Sequence, residues 1–303
     1  MLLLGAAPLL SAGLAGCQTT PALPASAPVP AGPPPAPPVP PPAPKRPPRL
    51  GLALGGGAAR GFAHIGVIQV LEEAGIKPDL VVGTSAGSLV AALYANGKTS
   101  AELANLALTM DEGAITDWAF PSRGLIRGEA LARFVRDQTG NKLIEQMKMP
   151  LGIVATDLDS GAGMLFQRGD TGTAVRASSS VPAVFQPVKI GDREYVDGGL
   201  VSPVPVRYAR QMGAEMVIAV DISSPPDGAA TDGTMKLLLQ TFAIMGKSIN
   251  RFELREADVV VRPPLIGVSS ADFTSRVRAI RSGRETALAL LPDIKAKLAS
   301  LAR

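Results

Sequence analysis

Short apolar runs alternate with longer amphipathic segments from residue 50 to the end of the chain, and many of the turns between them contain glycine. Wholly apolar runs of strand length are typical of parallel strands that are covered on both faces, whereas the amphipathic segments have the period of helices. This alternation predicts one layered α/β domain over residues 49–303. The predicted strands are residues 50–54, 79–82, 152–156 and 216–221, and the predicted helices are residues 61–74, 86–95, 127–138, 204–212, 235–250 and 281–301.

Composition excludes several kinds of site. The 303 residues contain one cysteine and one histidine, so the chain can form neither an internal disulfide nor a Cys/His zinc site. Aromatic residues make up only 4% and the net charge is +4, which gives no support to nucleic-acid binding through a basic face with stacking groups. No segment has the ligand spacing of a calcium loop, and we expect no metal and no cofactor.

The first 48 residues are predicted to lie outside the fold. Residues 2–15 are apolar, are too short to span a bilayer comfortably, and lead into the sequence Leu-Ala-Gly-Cys that ends at Cys17. This pattern resembles a bacterial lipoprotein signal, which implies a signal peptide over residues 1–16 and a membrane anchor on a lipidated Cys17. Such signals begin with a basic region, but no lysine or arginine precedes the apolar run here. A start site assigned too late would explain this difference. The alternative is that Cys17 is an ordinary residue. Gln18, in place of an aspartate, favours the outer membrane of a Gram-negative cell, facing the periplasm, as the destination.

Residues 21–48 form a proline-rich segment. They include 15 prolines in 28 residues, and proline cannot donate the backbone hydrogen bond that helices and sheets need. We expect an extended polyproline II spacer that reaches on the order of 80 Å, so that residues 17–48 act as a tether. A docking site for a proline-binding module is the alternative.

The sequence Gly-Thr-Ser-Ala-Gly at residues 83–87 lies between a predicted strand and a predicted helix. A G-x-S-x-G sequence in this context is typical of a nucleophile elbow, a sharp turn that needs small neighbours, here Gly83 and Gly87. The turn presents the serine at the start of a helix, where negative charge that develops nearby is stabilised. Ser85 is therefore the candidate nucleophile.

A glycine-rich loop follows the first predicted strand and contains Gly55, Gly56, Gly57 and Arg60. Its spacing does not fit the G-x-G-x-x-G of dinucleotide-binding proteins, and no Walker lysine is present. Unpaired backbone N–H groups of such a loop can form an oxyanion hole if Ser85 lies opposite. A close-packed strand-to-helix turn is the alternative.

A serine nucleophile requires a base, and two residues are candidates. His64 lies one turn into the helix after the glycine loop, where it can be either the base or a packed, hydrogen-bonded residue. Asp197 ends a short predicted strand before Gly198 and Gly199, which let a substrate or another backbone approach. A carboxylate near its reference pKa of about 3.9 is a weak base. It can still orient the serine and accept its proton if the oxyanion hole carries much of the stabilisation.

In combination and in order, these motifs resemble those of the patatin-like phospholipases, and within them the bacterial branch close to the patatin-like domain of neuropathy target esterase. The resemblance covers roughly residues 50–301 and includes a further block at residues 176–187, Arg-Ala-Ser-Ser-Ser-Val-Pro-Ala-Val-Phe-Gln-Pro. It implies a three-layer α/β/α sandwich with a mostly parallel central sheet and a Ser85–Asp197 dyad without histidine. It also implies an oxyanion hole formed by the amides of residues 55–57, with Arg60 holding that loop or lending charge.

The predicted function is a serine acyl hydrolase that cleaves acyl esters of phospholipids or related lipids. Two alternatives remain, a non-enzymatic envelope lipoprotein on a hydrolase fold and a thioesterase or peptidase with the same type of nucleophile. Residues 235–250 are apolar on more than one face, so we expect a buried helix, with a mobile flap over an acyl-chain pocket as the alternative. Trp118 and Phe120 are predicted to belong to the core rather than to a lipid-contacting surface.

Overall fold

The structure is a computed structural model that describes residues 46–115, 117, 124–223, 233–268 and 273–303. Cys17, the predicted signal peptide, nearly all of the predicted tether, Trp118 and Phe120 lie outside the described residues. The strands are β1 (Leu50–Leu54), β2 (Leu80–Thr84), β3 (Gly124–Ile126), β4 (Leu151–Asp157), β5 (Gly163–Phe166), β6 (Ala183–Phe185), β7 (Val188–Ile190), β8 (Arg193–Asp197), β9 (Met216–Val220) and β10 (Val259–Val261). The helices are α1 (Phe62–Glu73), α2 (Ala86–Ala95), α3 (Ser100–Thr109), α4 (Glu129–Thr139), α5 (Thr171–Ser178), α6 (Val206–Gln211), α7 (Thr234–Glu253) and α8 (Arg276–Ser300).

The central sheet has the strand order β10-β9-β1-β2-β4-β8-β7, and β5 pairs with β4 outside this path. The strands from β10 to β4 are parallel to their neighbours. In contrast, β5 and β8 are antiparallel to β4, and β7 is antiparallel to β8. The sheet is therefore mostly parallel, as predicted, with an antiparallel part that adjoins β4.

The sheet is covered on both faces because its strands are apolar on both sides. In β1, Leu52 and Leu54 pack into a core shared with α1, α2 and α8, whereas Ala53 lies in a second core with α6. The two helix layers and the sheet make the predicted α/β/α sandwich. Parallel strands bring the turns at their carboxyl ends to one edge of the sheet, where ligands bind in open α/β folds.

Each predicted strand and helix corresponds to an observed one, with ends that differ by up to five residues. The helix α3 was not predicted, although a capping box marks its start: Thr99 and Glu102 each bond the other's main chain. The strands β3, β5, β6, β7 and β10 were also missed. They have three or four residues each, too few for a hydrophobic period to be recognised.

The prediction for residues 235–250 is corrected. A helix forms there, but within α7, all of which the structure describes, only Asn250 and Glu253 are buried. None of the helices in the described ranges has the length and hydropathy needed to cross a membrane.

The end of the predicted tether is corrected as well. Arg46 pairs with Arg303 through the main chain, with N to O distances of 2.6 and 3.0 Å. The Arg46 guanidinium also donates two hydrogen bonds to the Glu215 carboxylate, at 2.7 and 2.8 Å. The folded body therefore includes residue 46, which the sequence had assigned to the tether.

Candidate active site

Ser85 lies in a sharp turn between β2 and α2. Its backbone has φ 53° and ψ −123°, a conformation that costs a non-glycine residue about 1–3 kcal/mol. A Cβ atom at Gly83 would lie 2.4 Å from the Gly87 carbonyl oxygen, and one at Gly87 would lie 2.1 Å from the Leu54 carbonyl oxygen. Both positions therefore require glycine, and the turn has the geometry of the predicted nucleophile elbow.

The main chain of Ser85 is held by hydrogen bonds that do not use its hydroxyl group. The Ser85 amide donates to Ser178 Oγ at 2.8 Å, and Ser178 Oγ donates to the Val154 carbonyl oxygen at 2.5 Å. The Ser85 carbonyl oxygen accepts from the amide and the hydroxyl of Ser88, at 2.8 and 2.6 Å. Ser178 is a positioning residue that sequence reasoning missed, although it lies in the block at residues 176–187.

Asp197 is brought to Ser85 because two strands share one edge of β4. β2 pairs with β4 as far as Thr84, opposite Val154, and β8 pairs with β4 as far as Asp197, opposite Ala155. β5 occupies the other edge of β4, so β2 and β8, which run in opposite directions, meet end to end. The turns that follow Thr84 and Asp197 are therefore neighbours in space.

The Asp197 side chain is buried, with 6% of the residue exposed. Its Oδ1 accepts from the Gly199 amide at 2.7 Å, while Oδ2 has no hydrogen-bond partner of normal geometry among the described residues. Burial raises the pKa of Asp197 to about 6, and the Ser85 hydroxyl and the Gly199 amide partly oppose this rise. The effect on the pKa indicates that the Ser85 hydroxyl faces the carboxylate, although no hydrogen bond of normal geometry reaches Oδ2 within the described residues.

His64 supports the glycine loop from within the core. Its ring is fully buried in α1, and Nε2 lies 2.8 Å from the Gly55 carbonyl oxygen. Because a carbonyl oxygen only accepts hydrogen bonds, Nε2 carries the proton. Burial lowers the pKa of His64 to about 4. Of the two roles that the sequence left open, this geometry supports the packed, hydrogen-bonded one.

The glycine loop lies beside the elbow, since a Cβ atom at Gly56 would lie 3.1 Å from Ser85 Cβ. However, the amides of Gly55 and Gly56 donate to the carbonyl oxygens of Val220 and Pro203, at 3.0 and 2.9 Å. These two N–H groups are not available to an oxyanion. The prediction that all three amides of residues 55–57 take part is corrected accordingly.

The next two amides, those of Gly57 and Ala58, have no hydrogen-bond acceptor within the part of the chain that the structure describes. Ala58 has a φ of 50°, which is uncommon for a residue other than glycine. Arg60 donates to the Gly57 carbonyl oxygen from both its amide, at 3.2 Å, and its side-chain Nε, at 3.3 Å. Arg60 therefore holds the loop, which is one of the two roles that the resemblance implied.

An apolar cavity of about 70 Å³ adjoins the loop and the elbow. Ala58 and Ala86, which directly follow Gly57 and Ser85 in the chain, form part of its wall. The cavity extends between α1, α2, α3 and α4, where its lining includes Leu89, Leu93, Leu103 and Phe134.

A comparison of the sequence with models of known protein families gives a match over the region that contains the candidate site. Residues 52–210, which contain the loop, Ser85 and Asp197, match the family model described as patatin-like phospholipase. This match covers more than half of the chain. The chain belongs to the patatin-like phospholipase family. The resemblance inferred from the order of the motifs is thus confirmed.

Curated relatives include several members of the NTE family. One uncharacterized NTE family protein of Mycobacterium tuberculosis is 38% identical to this patatin-like chain over 187 residues, which are 61% of the chain and 52% of the relative. A second one is 31% identical over 275 residues, which are 81% of the chain and 47% of the relative. Patatin-like phospholipase domain-containing protein 6 of Mus musculus is 36% identical over 184 residues, which are 58% of the chain and 14% of that protein. The chain thus spans about half the length of the mycobacterial relatives and less of the mouse protein.

A solved structure with the same fold is that of VipD from Legionella pneumophila. It superposes on this patatin-like chain with a TM-score of 0.59, and the match covers 82% of the chain and 68% of VipD. The sequence identity is 14%, so the similarity concerns the fold alone.

Proposed function

We propose that this patatin-like protein is a serine acyl hydrolase that cleaves acyl esters of phospholipids or related lipids. One observation carries the proposal: Ser85, in a strained turn, lies at the strand end that meets Asp197, a buried carboxylate with a pKa of about 6. A hydroxyl beside a base of this strength can lose its proton as it attacks a carbonyl group. The family to which the chain belongs supports a lipid ester as the substrate.

In the first half-reaction, the Ser85 oxygen attacks the ester carbonyl carbon while its proton passes to Asp197. The carbonyl oxygen becomes an oxyanion, and its collapse breaks the bond to the alcohol oxygen. The leaving alcohol takes the proton back from Asp197. An acyl group remains on Ser85.

In the second half-reaction, water attacks the acyl group and gives a proton to Asp197. Collapse of the new oxyanion releases the carboxylic acid, and Asp197 returns the proton to the Ser85 oxygen. With a pKa of about 6, Asp197 can both accept and donate this proton near neutral pH.

The amides of Gly57 and Ala58 are the proposed oxyanion hole. They lie on the loop beside Ser85, and neither donates to an acceptor among the described residues. Main-chain donors that are fixed in advance stabilise the charge of the transition state without reorganisation, and one such donor typically contributes a factor of about 10²–10³ to kcat. Arg60 would keep the Gly57 peptide in place through its bonds to the carbonyl oxygen.

The apolar cavity beside the elbow is the proposed acyl-chain site. Its wall begins at the residues that follow Gly57 and Ser85 and continues along apolar side chains of α2 and α3. An acyl chain that enters it would exchange water for an apolar surface, which is favourable in proportion to the area buried.

Leu89→Trp is expected to shorten the acyl chain that the protein accepts, because the larger ring would occupy the cavity that Leu89 lines. We expect kcat/KM for long-chain esters to fall at least about tenfold relative to that for short-chain esters. Leu108→Trp is the matched control, since Leu108 is 51% exposed on α3 and is not part of the cavity wall. An equal loss for all chain lengths in a folded Leu89→Trp protein would contradict the assignment of the cavity.

Fluorophosphonate labelling of the purified chain, combined with a substrate panel, tests the proposed function. We expect covalent labelling together with hydrolysis of phospholipids and other acyl esters. Labelling with turnover of thioesters or peptides alone would favour the other acyl-transfer enzymes instead. A folded protein that is neither labelled nor active on any member of the panel would favour a non-enzymatic lipoprotein.

We also propose that Cys17 anchors the protein by lipidation to the outer membrane, on its periplasmic side. The sequence of residues 2–17 supports this proposal. Cys17→Ser is expected to lose lipid attachment, because a hydroxyl is not processed as the lipobox thiol is. Incorporation of labelled palmitate into the expressed chain measures the effect, and equal incorporation in both proteins would rule the anchor out.

A further inference from the structure

The helix α7 has an inverted distribution of polar and apolar side chains. A helix of a globular protein normally turns its apolar face to the core. In α7 the buried residues are instead Asn250 and Glu253, both polar. Its exposed large apolar residues, with 38–68% of each accessible, are Leu237, Leu238, Leu239, Ile244, Met245 and Phe252.

The polar side of α7 rests next to the proposed active site. Ser202 Oγ donates to Glu253 Oε1 at 2.5 Å, and a Cβ atom at Gly246 would lie 3.5 Å from Pro203 Cγ. Ser202 and Pro203 belong to the segment that directly follows Asp197 and its two glycines. The polar side of α7 therefore packs against the segment that follows Asp197.

All of these exposed apolar residues except Leu239 share one face of α7. Leu238, Met245 and Phe252 are seven residues apart in turn, and Leu237 and Ile244 follow the same spacing beside them. An exposed apolar stripe of this kind marks a surface that contacts a partner, a ligand or a membrane.

The charges of α7 indicate what covers this face. The charged residues before Phe252 are all basic, namely Lys236, Lys247 and Arg251. Lys247 and Arg251 are four residues apart and thus on the same side of the helix, next to the line of Leu237 and Ile244.

We propose that α7 is an interfacial helix, which lies in the surface of an anionic lipid bilayer with its apolar face in the acyl-chain region. An apolar face bordered by lysine and arginine is typical of helices that bind at such surfaces. A second copy of the chain is a poorer fit, because a twofold contact would bring the same basic residues together, and Glu253, the acidic residue of the helix, is buried. The choice of a lipid rests on the proposed function, since docking at this face would hold the active-site region against the substrate.

A fluorescent label on α7 tests the proposal directly. In the full chain carrying Cys17→Ser, which removes the single cysteine, Met245→Cys accepts an environment-sensitive dye. Leu288→Cys provides the matched control, because Leu288 is 44% exposed on α8. Any binding by the N-terminal segment affects both labelled proteins equally. The probes are vesicles of phosphatidylcholine alone and of phosphatidylcholine with phosphatidylglycerol.

We expect the dye at position 245, and not the dye at position 288, to shift to shorter wavelength and to be quenched by a lipid-attached quencher in the anionic vesicles. Lys247→Gln with Arg251→Gln should remove at least half of the shift, and so should salt at about 1 M, where the screening length falls to roughly 3 Å. An equal response at both positions, or none at position 245 in a folded protein, would overturn the proposal. A shift that depends on protein concentration without vesicles would overturn it in favour of a second copy. No step of this test requires hydrolysis, so failure of docking and failure of the proposed enzyme activity are distinguishable.

Discussion

Replacing Ser85 with alanine is expected to abolish hydrolysis, with kcat falling by a factor on the order of 10⁶, as for loss of the nucleophile in other serine hydrolases. Fluorophosphonate labelling should disappear with it, because the Ser85 oxygen is the atom that the reagent would modify. We expect the fold to persist, since the bonds from Ser85 to Ser178 and Ser88 use main-chain atoms of Ser85. Circular dichroism and thermal unfolding of the variant check this point.

The control for this substitution is Ser160→Ala. Ser160 lies in the turn between β4 and β5, where its hydroxyl donates to Asp157 Oδ1 at 2.8 Å. Removing this hydroxyl should leave fluorophosphonate labelling complete. Complete labelling of Ser85→Ala would place the nucleophile at another residue and contradict the dyad.

Asp197→Asn is expected to lower kcat by a factor of about 10²–10⁴, because the variant keeps the shape of the side chain and loses the proton acceptor. The pH profile should report the same group. Activity requires the carboxylate, so with a pKa of about 6 for Asp197 the rate of the wild-type protein should fall as the pH drops through 6. The residual activity of Asp197→Asn should lack this limb.

The same substitution should change the pH dependence of stability. Folding raises the pKa of Asp197 from its ordinary value of 3.8 to about 6, so the folded state holds the proton more tightly than the unfolded state. The free energy of unfolding is therefore expected to fall as the pH rises from 4 to above 6, by about 3 kcal/mol for this shift. Asp197→Asn removes the destabilisation by the buried carboxylate at pH 8. Denaturant unfolding of both proteins at pH 4 and pH 8 measures the difference.

His64→Gln is the comparison that separates a dyad from a triad. We expect a loss limited to packing and to the hydrogen bond with the Gly55 carbonyl oxygen, and an unchanged limb near pH 6. A histidine base would place the limb near pH 4, since burial lowers the pKa of His64 to about 4. If His64→Gln in a folded protein is as damaging as Asp197→Asn, the histidine-free mechanism is wrong.

Reference pKa values alone predict the opposite order for these two limbs. They place histidine near 6.5 and aspartate near 3.9. Burial disfavours the charged form of each group, which moves a carboxylic acid upwards and an imidazole downwards. Because both Asp197 and His64 are buried, the order is reversed in the folded protein.

Features that depend on a few neighbouring residues were predictable from the sequence. The observed bounds of β1 and α2 equal the predicted ones, because apolar runs and glycine turns act locally. The turn at Ser85 was predictable for the same reason, since its two glycines are part of the motif. The short strands around β8 and the positioning role of Ser178 were not, because three or four residues carry too little pattern and a serine hydroxyl has no preferred distant partner.

The sequence by itself determined the alternation of strands and helices, the elbow at Ser85 and the family, because these depend on periodicity and on motifs within a few residues. Only the tertiary structure decided how Asp197 reaches Ser85, since that contact depends on β2 and β8 sharing one edge of β4. It also decided which amides of the glycine loop are free, since the partners of Gly55 and Gly56 come from distant segments. The outward orientation of the apolar face of α7 was likewise decided only by the tertiary structure. Burial, pKa and hydrogen-bond availability are properties of contacts between distant residues, and no local pattern encodes them.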